Sequence, residues 1–437
     1  MSIYFGTDGI RGVVNKDLSY DIAFKCGNAL SNIVPYPSVI IGRDTRISGD
    51  MLMTAFCNGV VVGGGNVIDV GVVTTPAVSY LTKQLNCDYG VVISASHNPS
   101  EYNGIKIFNC DGVKILQQVE DEIEGRFGHT NIVNGNILGT YCQKSTLWRK
   151  YANYMVTTIT KDLSGLKVVI DGSFGAGYKI APYVFKKLGA EVVCINCDKD
   201  GLSINNNCGS LYPQGLQKAV IKHKADFGFA LDGDGDRIIA VDEKGKVVDG
   251  DQIIFMLAKY YKQNGWLTND CVVGTTHTNM GIEKELIAEG VTLLRSDIGD
   301  KYVMEMMLRN NCVLGGEQSG HIILSNFMTS GDGTLTALHL AQMMVQFGLS
   351  LSQLSKCELY PQANIDVIVK DKHRVLNNPK LTDEISKINI ELKGRGRVFV
   401  RASGTEPKIR IMVESNTQAK CDKFAGRLSK LVKELNI

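Results

Sequence analysis

Short β-branched runs that end abruptly in glycine- or serine-rich loops recur along the chain as far as Leu354. Apolar residues at helical spacing follow many of these loops, so strand, loop and helix alternate. This alternation restricts the chain to α/β architectures, in which a mainly parallel sheet carries helices on its faces. Because an open α/β sheet presents its chemistry beyond the carboxyl ends of its strands, the loops at those ends are the first candidates for functional residues.

The same periodicity divides the chain into domains. Residues 128–145 are rich in Asn, Gly and Thr and lack periodicity, which indicates a boundary. The last part of the chain has strand patterns and one amphipathic helix at 419–435, which is typical of a small α+β domain. We predict three related α/β domains with mixed, mainly parallel sheets, followed by one α+β domain. Their predicted bounds are 1–145, 146–246, 247–357 and 358–437.

Charge and hydropathy argue against two classes of partner. The formal net charge is +2 without a block of like charges, which disfavours nucleic acid or an anionic membrane as the main partner. The most apolar long stretch, 59–78, is interrupted by Asn66 and Asp69, so we interpret it as buried strand and loop pieces. The first residues lack a secretory signal pattern, and we expect a cytoplasmic protein.

The cysteines lead to the same expectation. Cys194, Cys271 and Cys312 lie in apolar runs, which is typical of reduced core cysteines in a cytosolic protein. Cys194 and Cys197 form a C-x-x-C spacing. Because a second cysteine pair and a following helix pattern are missing, a chance spacing at a strand end is a better interpretation than a zinc or redox site.

Residues 89–103, YGVVISASHNPSEYN, hold the strongest candidate for a nucleophile. The run 91–93 predicts a buried strand, and Ser96 follows it in a loop that an Asn-Pro pair closes. An ordinary Ser-rich turn explains this stretch equally well. Other loops of the chain favour the functional interpretation, because they are suited to one phosphorylated ligand at this serine.

Asp232, Asp234 and Asp236 alternate with glycines, so an extended backbone turns their carboxylates to one side. Like charges repel unless a cation lies among them, and hard oxygen ligands suit Mg²⁺ or Ca²⁺. A calcium-binding EF-hand is disfavoured, because Arg237 stands where that loop requires glycine and strand-like runs replace its helices. A solvated acidic turn is the other alternative. We expect Mg²⁺, with Arg237 beside a phosphate.

The segment RASGTEPKIR follows a predicted strand and is suited to an anion. Ser403, Gly404 and Thr405 offer hydroxyl and backbone N–H groups in a tight turn. Arg401 and Arg410 can add bidentate contacts to a phosphate. The alternative is a basic hairpin with exposed arginines.

Three further places give weaker signals. Glu317, Gln318 and Ser319, in a glycine-rich loop, are suited to hydrogen bonds with sugar hydroxyls, although an ordinary turn explains the loop as well. Lys106 is flanked by apolar residues and could be a general acid or base with a lowered pKa. The commoner alternative is a lysine on a strand whose charged end reaches solvent. Arg11 lies in an early turn, where it either meets a phosphate or is simply exposed.

Several of these motifs are weak signals alone, but their occurrence together in this order is specific for one family. They are GTDGIRG (6–12), SASHNP (94–99), NGIK (103–106), DGDGDR (232–237), GGEQSGH (315–321) and RASGTEPKIR (401–410). With this set the chain resembles the α-D-phosphohexomutases over essentially its whole length. The resemblance implies four domains around one cleft, with the fourth closing on the ligand.

The resemblance also implies roles for individual residues. The metal ligands would be Ser96, through its phosphate, with Asp232, Asp234 and Asp236. The catalytic group would be Ser96, His97, Lys106 and Arg237. The substrate-binding residues would be Arg11, Glu317, Ser319, Arg401, Ser403, Gly404, Thr405 and Arg410. One Mg²⁺ per chain, a phosphate on Ser96 and a hexose 1,6-bisphosphate, as intermediate or primer, would be the cofactors.

The implied reaction moves a phosphoryl group between two oxygens of a small sugar phosphate. Its product would supply the synthesis of amino-sugar nucleotides and cell-wall precursors. Glucosamine phosphates are favoured as substrates, with mannose and glucose phosphates as the alternative; a homodimer is one open oligomeric state. A metal-dependent sugar phosphatase and a non-catalytic sugar-phosphate-binding module stay open. A serine hydrolase is disfavoured, because the sequence lacks G-x-S-x-G and adjacent Ser96 and His97 do not make a triad.

Overall fold

The computed structural model of the protein describes residues 4–6, 8–403 and 407–436. The chain divides into two compact units, the first comprising 1–277 and 289–356, the second 278–288 and 357–437. The first unit contains three mixed sheets, and the second contains an antiparallel sheet, within the residues described. The predicted α/β class with a smaller α+β part is confirmed.

The first sheet carries the predicted nucleophile loop. Its strands are β1 (Phe5–Gly6), β2 (Gly9–Val13), β3 (Ser38–Arg43), β4 (Asn66–Val72), β5 (Tyr89–Ile93), β6 (Tyr102–Phe108) and β7 (Tyr141–Gln143). Its helices are α1 (Tyr20–Leu30), α2 (Gly49–Val62), α3 (Thr75–Gln84) and α4 (Gln117–Gly125). The strand order is β1-β2-β6-β5-β3-β4-β7. Because β5 pairs parallel with β3 and antiparallel with β6, the loop after β5 lies where the sheet changes direction.

The second sheet carries the aspartate triplet. Its elements are α5 (Trp148–Thr157), β8 (Lys167–Asp171), α6 (Ile180–Lys187), β9 (Glu191–Ile195), α7 (Gln214–His223), β10 (Phe227–Leu231), β11 (Ile238–Asp242) and β12 (Val247–Val248). The order is β12-β11-β10-β8-β9, so β9 is an edge strand. The triplet forms the turn between the antiparallel pair β10 and β11.

The third sheet is smaller and carries the GGEQSGH loop. Its strands are β13 (Cys271–Thr275), β14 (Thr292–Ser296), β15 (Leu314–Gly316) and β16 (Ile322–Leu324), in the order β14-β13-β15-β16. The accompanying helices are α8 (Gly250–Gln263), α10 (Asp300–Asn310), α11 (Gly333–Phe347) and α12 (Leu351–Leu354). Since β15 and β16 pair antiparallel, the GGEQSGH loop is their hairpin connection.

The second unit packs helices on an antiparallel sheet. Its strands are β17 (Gln362–Ile368), β18 (Gly396–Ala402) and β19 (Lys408–Ser415), in the order β17-β19-β18. Its helices are α9 (Met280–Ala288), α13 (Lys372–Leu376), α14 (Pro379–Leu392) and α15 (Gln418–Leu435). The predicted amphipathic helix is confirmed, because Phe424, Leu428 and Val432 of α15 are buried in this unit's core.

The interpretation of residues 59–78 as strand and loop pieces is wrong at both ends. The stretch begins in the last turn of α2, contains β4 and ends in α3. The sequence of α2 hides its helical period, because residues on several faces of this helix are buried and few polar residues mark a solvent side. Among the described residues, no helix combines the length and the apolar composition needed to cross a bilayer.

The cysteine expectations also need correction. Cys271 and Cys312 are joined by a disulfide, with their Cα atoms 6.0 Å apart, rather than being reduced. Cys194 is exposed on the edge strand β9 rather than buried in the core. An apolar run in sequence cannot distinguish an edge strand from a central one, since only strand pairing decides which side chains are covered.

We predict that a methyl group on Gly175 destabilises the contact between the loop 171–177 and the triplet turn. A Cβ atom at Gly175 would lie 2.4 Å from the main-chain oxygen of Gly233, and the neighbouring Ala176 N–H donates to that oxygen at 2.8 Å. Gly175→Ala should lower the free energy of unfolding by about 1–3 kcal/mol in urea titrations. Gly215→Ala, in α7 where a Cβ meets nothing within 4 Å, is the control and should not destabilise. Equal stability of the two variants would contradict this packing.

Candidate active site

Ser96 lies just beyond the carboxyl end of the fully buried strand β5. Its side chain is 1% exposed, and its φ of +52° is in the left-handed region that a non-glycine residue adopts only when its surroundings impose it. The Ser96 hydroxyl donates a hydrogen bond to Asp232 Oδ2 at 2.5 Å. The fold therefore brings together the predicted nucleophile and the predicted metal ligands.

Arg46 holds the Ser96 loop, and sequence reasoning missed it. This side chain is fully buried between β3 and α2, and its Nε donates to Asp44 Oδ2 at 2.9 Å. Its remaining donors reach the main-chain oxygens of Ser96 at 3.0 Å, Asn98 at 2.7 Å, Tyr102 at 3.0 Å and Pro99. We call Arg46 with these carbonyl groups the Arg46 clamp. A planar, permanently charged guanidinium is suited to several acceptors at fixed angles, so the clamp fixes the path of the loop.

Asp44 connects the Arg46 clamp to Ser96 through hydrogen bonds with Ser94. Ser94 Oγ donates to Asp44 Oδ2 at 2.6 Å and accepts from the Ser96 N–H at 2.9 Å. Asn205, from the second sheet's domain, donates to the Ser96 carbonyl at 2.8 Å. Asp44 and Arg46 belong to the polar segment Arg-Asp-Thr-Arg at the end of β3, which was the one signal in the sequence. Their partners Ser94 and Ser96 lie 50 residues further along the chain, so the sequence could not show these contacts.

The aspartate triplet is buried, and its ligand atoms lie within 4.8 Å of one another. Burial, with repulsion from Asp236 and Asp234, raises the pKa of Asp232 well above its usual range. Asp234 Oδ1 and Asp236 Oδ1 are buried without a hydrogen-bond partner. Such orphaned carboxylate oxygens, together with a hard oxygen donor set, fit a divalent cation such as Mg²⁺.

Lys106 differs from its predicted state. It is 1% exposed, and its Nζ lies 2.9 Å from Asp234, 3.2 Å from Asp236 and 3.3 Å from Asp8. Burial alone would lower the pKa of this ammonium, but the carboxylates outweigh it and raise the pKa well above its usual range. The expected lowered pKa is therefore wrong, and the side chain does not extend to solvent either. The sequence could not reveal this, because the carboxylates come from other elements.

Further charges extend this network toward the surface. Asp8 pairs with both Arg11 and Lys114, and Lys114 also pairs with Asp300. Arg11, predicted to meet a phosphate, is 21% exposed in its side chain and thus partly accessible. Charges of alternating sign compensate one another in a poorly solvated site, where an isolated charge would be costly.

His321 is a second residue that sequence reasoning passed over, although it ends the GGEQSGH motif. It is buried, with Nδ1 at 3.8 Å from Asp236 Oδ2 and Nε2 at 3.7 Å from Asp300 Oδ2. Burial alone would lower its pKa, but the interaction with Asp236 and the charge of Asp300 raise it. Its Nε2 accepts the Gly331 N–H at 3.2 Å. The structure thus joins the hairpin β15–β16 to the triplet.

The other predicted catalytic residues surround Ser96 and the triplet. The Arg237 N–H donates to Asp232 Oδ1 at 3.2 Å. His97 Nδ1 lies 3.3 Å from Ser96 Oγ. Burial and the nearby Arg237 charge lower the pKa of His97 to about 3, so that its ring is neutral at physiological pH.

The predicted sugar-reading residues separate into two groups. Glu317 is largely buried, accepts the Gly299 N–H at 3.0 Å, and lies 3.5 Å from the Ser319 hydroxyl. Gln318 instead donates from its amide to Asp249 Oδ2 at 3.2 Å, beside the start of α8. Glu317 and Ser319, which contact each other, stay candidates for ligand contacts, whereas the Gln318 amide contacts Asp249 instead.

In the second unit, Arg401 and Arg410 face each other as partners on β18 and β19. Burial and the charge of Arg410 lower the pKa of Arg401. Asp366 lies opposite Arg410 on β17, and its negative charge partly offsets the repulsion between the two arginines. Ser403 is buried, and its main-chain oxygen accepts from Lys372 Nζ at 2.7 Å. The predicted positions Gly404 and Thr405 lie outside the described residues.

Comparison with family models covers most of the chain. The models describe the phosphoglucomutase/phosphomannomutase α/β/α domains I, II and III and the C-terminal domain, and they match residues 2–131, 148–245, 249–360 and 365–431 in that order. The bounds of the four domains as drawn from the sequence stay a prediction.

Curated and solved relatives agree with these matches. The chain is 42% identical to a phosphoglucosamine mutase of Staphylococcus saprophyticus, over 99% of both chains. A phosphoglucomutase/phosphomannomutase family protein from Burkholderia thailandensis has the same fold, with a TM-score of 0.82 at 23% identity over 100% of this chain and 98% of that one. An Aspergillus fumigatus N-acetylphosphoglucosamine mutase, solved with GlcNAc-6P and magnesium, gives a TM-score of 0.72 at 17% identity over 100% and 96%.

We predict that Arg46 is a positioning residue for Ser96. Arg46→Lys keeps the charge but loses the fork that reaches the loop carbonyls, so kcat with a hexose phosphate should fall by about 10²-fold while KM changes little. The matched control is Arg126→Lys, because Arg126 pairs with Glu122 on the surface of α4. Steady-state kinetics and thermal melts on both variants provide the measurement. A kcat equal to the parent's in Arg46→Lys would contradict the role of the clamp.

Proposed function

Because the chain belongs to the phosphoglucomutase/phosphomannomutase family of isomerases, we propose that it interconverts glucosamine 6-phosphate and glucosamine 1-phosphate. The observation that carries the reaction type is the contact of 2.5 Å between the Ser96 hydroxyl and Asp232, within a buried carboxylate triplet. The choice of sugar follows the Staphylococcus saprophyticus relative, which matches this chain from end to end.

The proposed reaction consists of two phosphoryl transfers through Ser96. A phosphate on Ser96 Oγ passes to the free hydroxyl oxygen of the sugar phosphate, that hydroxyl loses its proton, and a 1,6-bisphosphate results. The bisphosphate reverses its orientation relative to Ser96. Its other phosphoryl group then passes to Ser96 Oγ, while the sugar oxygen that it leaves regains a proton. Such transfers need positioning and charge compensation more than covalent chemistry, which suits a serine fixed by the Arg46 clamp.

Asp232, Asp234 and Asp236 would hold one Mg²⁺, and the phosphate on Ser96 would complete their oxygen donor set. When bound, such an ion neutralises charge on a transferring phosphoryl group. The protein's own groups do the remaining work. Arg237, adjacent to the triplet, would compensate phosphate charge, and Lys106 would act as a proton donor through its ammonium group. His97, a neutral ring 3.3 Å from Ser96 Oγ, belongs to the same proposed catalytic group.

Substrate recognition is proposed for two groups of residues. Glu317 and Ser319 share the β15–β16 hairpin and would hydrogen-bond sugar hydroxyls; Glu317 could also attract a protonated amino group. Arg11 would contact a phosphate from the first unit. In the second unit, Arg401, Arg410 and Ser403, with Gly404 and Thr405 of the same motif, would bind the phosphate that is not reacting.

We propose the cytoplasm as the compartment, because a charged sugar phosphate does not cross a bilayer unaided. A small-molecule sugar phosphate is the proposed partner, and a homodimer stays a prediction from sequence.

The second candidate function is a phosphomannomutase or phosphoglucomutase, which the descriptions of the matching family models favour. A metal-dependent sugar phosphatase would share the triplet but would release inorganic phosphate.

The proposed sugar is tested by direct comparison. After priming with a hexose 1,6-bisphosphate under identical Mg²⁺, kcat/KM for glucosamine 6-phosphate should exceed that for glucose and mannose 6-phosphates by at least about tenfold, or roughly 1.4 kcal/mol in transition-state binding. Ser96→Ala should abolish isomerisation without unfolding the chain. If mannose or glucose phosphate is preferred, the reaction class stands and the sugar assignment fails. Release of inorganic phosphate without isomerisation would favour the phosphatase.

The proposed metal is tested by removal and replacement. Chelation should abolish activity, Mg²⁺ should restore it, and the larger Ca²⁺ should restore little because it tolerates an irregular coordination geometry. Asp234→Asn should lower activity far more than it lowers the melting temperature. Asp121→Asn, on the exposed face of α4, is the matched control and should change neither. Full recovery with Ca²⁺ would count against Mg²⁺ as the resident ion.

A further inference from the structure

Asp8 contacts several groups of the candidate active site, although the proposed reaction assigns it no role. It directly precedes β2, which pairs antiparallel with β6, the strand that carries Lys106. Gly9 permits the close approach of the two segments, because a Cβ at that position would lie 2.3 Å from the Ile105 oxygen and 3.3 Å from the Lys106 Cα. The backbone therefore brings the Asp8 carboxylate to within 3.3 Å of the Lys106 ammonium.

The Asp8 carboxylate contacts three cations and uses both of its oxygens. Its Oδ2 lies 3.3 Å from Lys106 Nζ and accepts a hydrogen bond from Arg11 Nη2. Its Oδ1 accepts from Lys114 Nζ, which also donates to Asp300 at the start of α10. A carboxylate held at both oxygens has little freedom to rotate, so the two cations at Oδ2 have a defined position.

Lys106 has two other carboxylate partners, but both belong to the proposed metal site. Its Nζ lies 2.9 Å from Asp234 and 3.2 Å from Asp236, whose oxygens are candidate ligands for Mg²⁺. A cation in the triplet would weaken the attraction between these carboxylates and Lys106, because it adds positive charge beside the ammonium. Of the three carboxylates, Asp8 alone lies outside the triplet, so its hold on Lys106 does not depend on the metal.

Arg11 depends on Asp8 in a different way. Its Nη2 donates to Asp8, whereas its Nε is buried and has no hydrogen-bond partner among the residues that the structure describes. The side chain is still partly accessible, at 21% exposure. A guanidinium that is fixed through one nitrogen and keeps an unused donor is suited to a phosphate oxygen.

We propose that Asp8 is a positioning residue that fixes both Arg11, the proposed phosphate contact, and Lys106, the proposed proton donor. This inference rests on the function proposed for the chain, and it assigns Asp8 no contact with the substrate. The alternative is that Asp8 only balances charge in the network. The two interpretations differ in their dependence on distance, because charge balance tolerates a shift of the carboxylate by one methylene group, whereas positioning does not.

The first test compares two substitutions of Asp8 in the full-length protein, primed with a hexose 1,6-bisphosphate. Asp8→Asn removes the charge, so kcat should fall by about 10²-fold and KM for the hexose phosphate should rise by about fivefold. Asp8→Glu keeps the charge but displaces it, and kcat should still fall by at least about tenfold. A kcat in Asp8→Glu equal to the parent's would overturn the positioning role, even if Asp8→Asn is impaired or does not fold. Asp21→Asn, which removes an exposed pair with Lys25 on α1, is the matched control and should change neither constant.

The second test is a double-mutant cycle between Asp8→Asn and Arg11→Met. Because Arg11 is already displaced when Asp8 is replaced, the double variant should have a KM within about twofold of the Asp8→Asn value. Melting temperatures of the same four proteins report on the contact without any substrate, and the double variant should lose less than the sum of the two single losses. KM factors that multiply, or melting losses that add, would overturn the proposal. A parent that isomerises no hexose phosphate would instead refute the proposed function, so the two failures are distinguishable.

Discussion

The repulsion among Asp232, Asp234 and Asp236 is the interaction on which the site depends. Their ligand atoms lie within 4.8 Å in a place that water hardly reaches, where like charges repel strongly. Lys106, from β6 of the first sheet, places its ammonium 2.9 Å from Asp234. His321, from the hairpin of the third sheet, places its ring 3.8 Å from Asp236. Since Lys106 and His321 belong to different sheets, their contacts with the triplet also join the domains of the first unit. A divalent cation fits the carboxylate oxygens that remain without partners.

A second constraint concerns the backbone at Ser96. A serine in the left-handed region is strained unless its surroundings hold it there. Arg46 supplies this support by binding several carbonyl groups of the loop at once, and Asn205 adds a contact from the next domain. Ser96, the proposed nucleophile, is thus positioned by groups to which no role in phosphoryl transfer is assigned. A preorganised serine beside a charge-compensated carboxylate site is what a reaction dominated by positioning and electrostatics requires.

Prediction from the sequence succeeded where a local pattern reports directly on local structure. The run 91–93, predicted to be a buried strand, lies within β5, and the amphipathic helix predicted at 419–435 corresponds to α15 (Gln418–Leu435). It failed for α2, because a helix covered on several faces loses the polar stripe that reveals its period. It also failed for Cys271 and Cys312, which are 41 residues apart and meet only in the folded chain.

The sequence by itself determined the order of the motifs, the family, the loops at the strand ends, and the residue types available for phosphoryl transfer. The tertiary structure alone decided which of these residues meet and in which charge state. Lys106 illustrates the difference: its apolar neighbours in sequence suggested a lowered pKa, yet carboxylates 128 and 130 residues away raise it. The physical reason is that a pKa depends on burial and on the distance to other charges, and both quantities exist only once the sheets have been assembled.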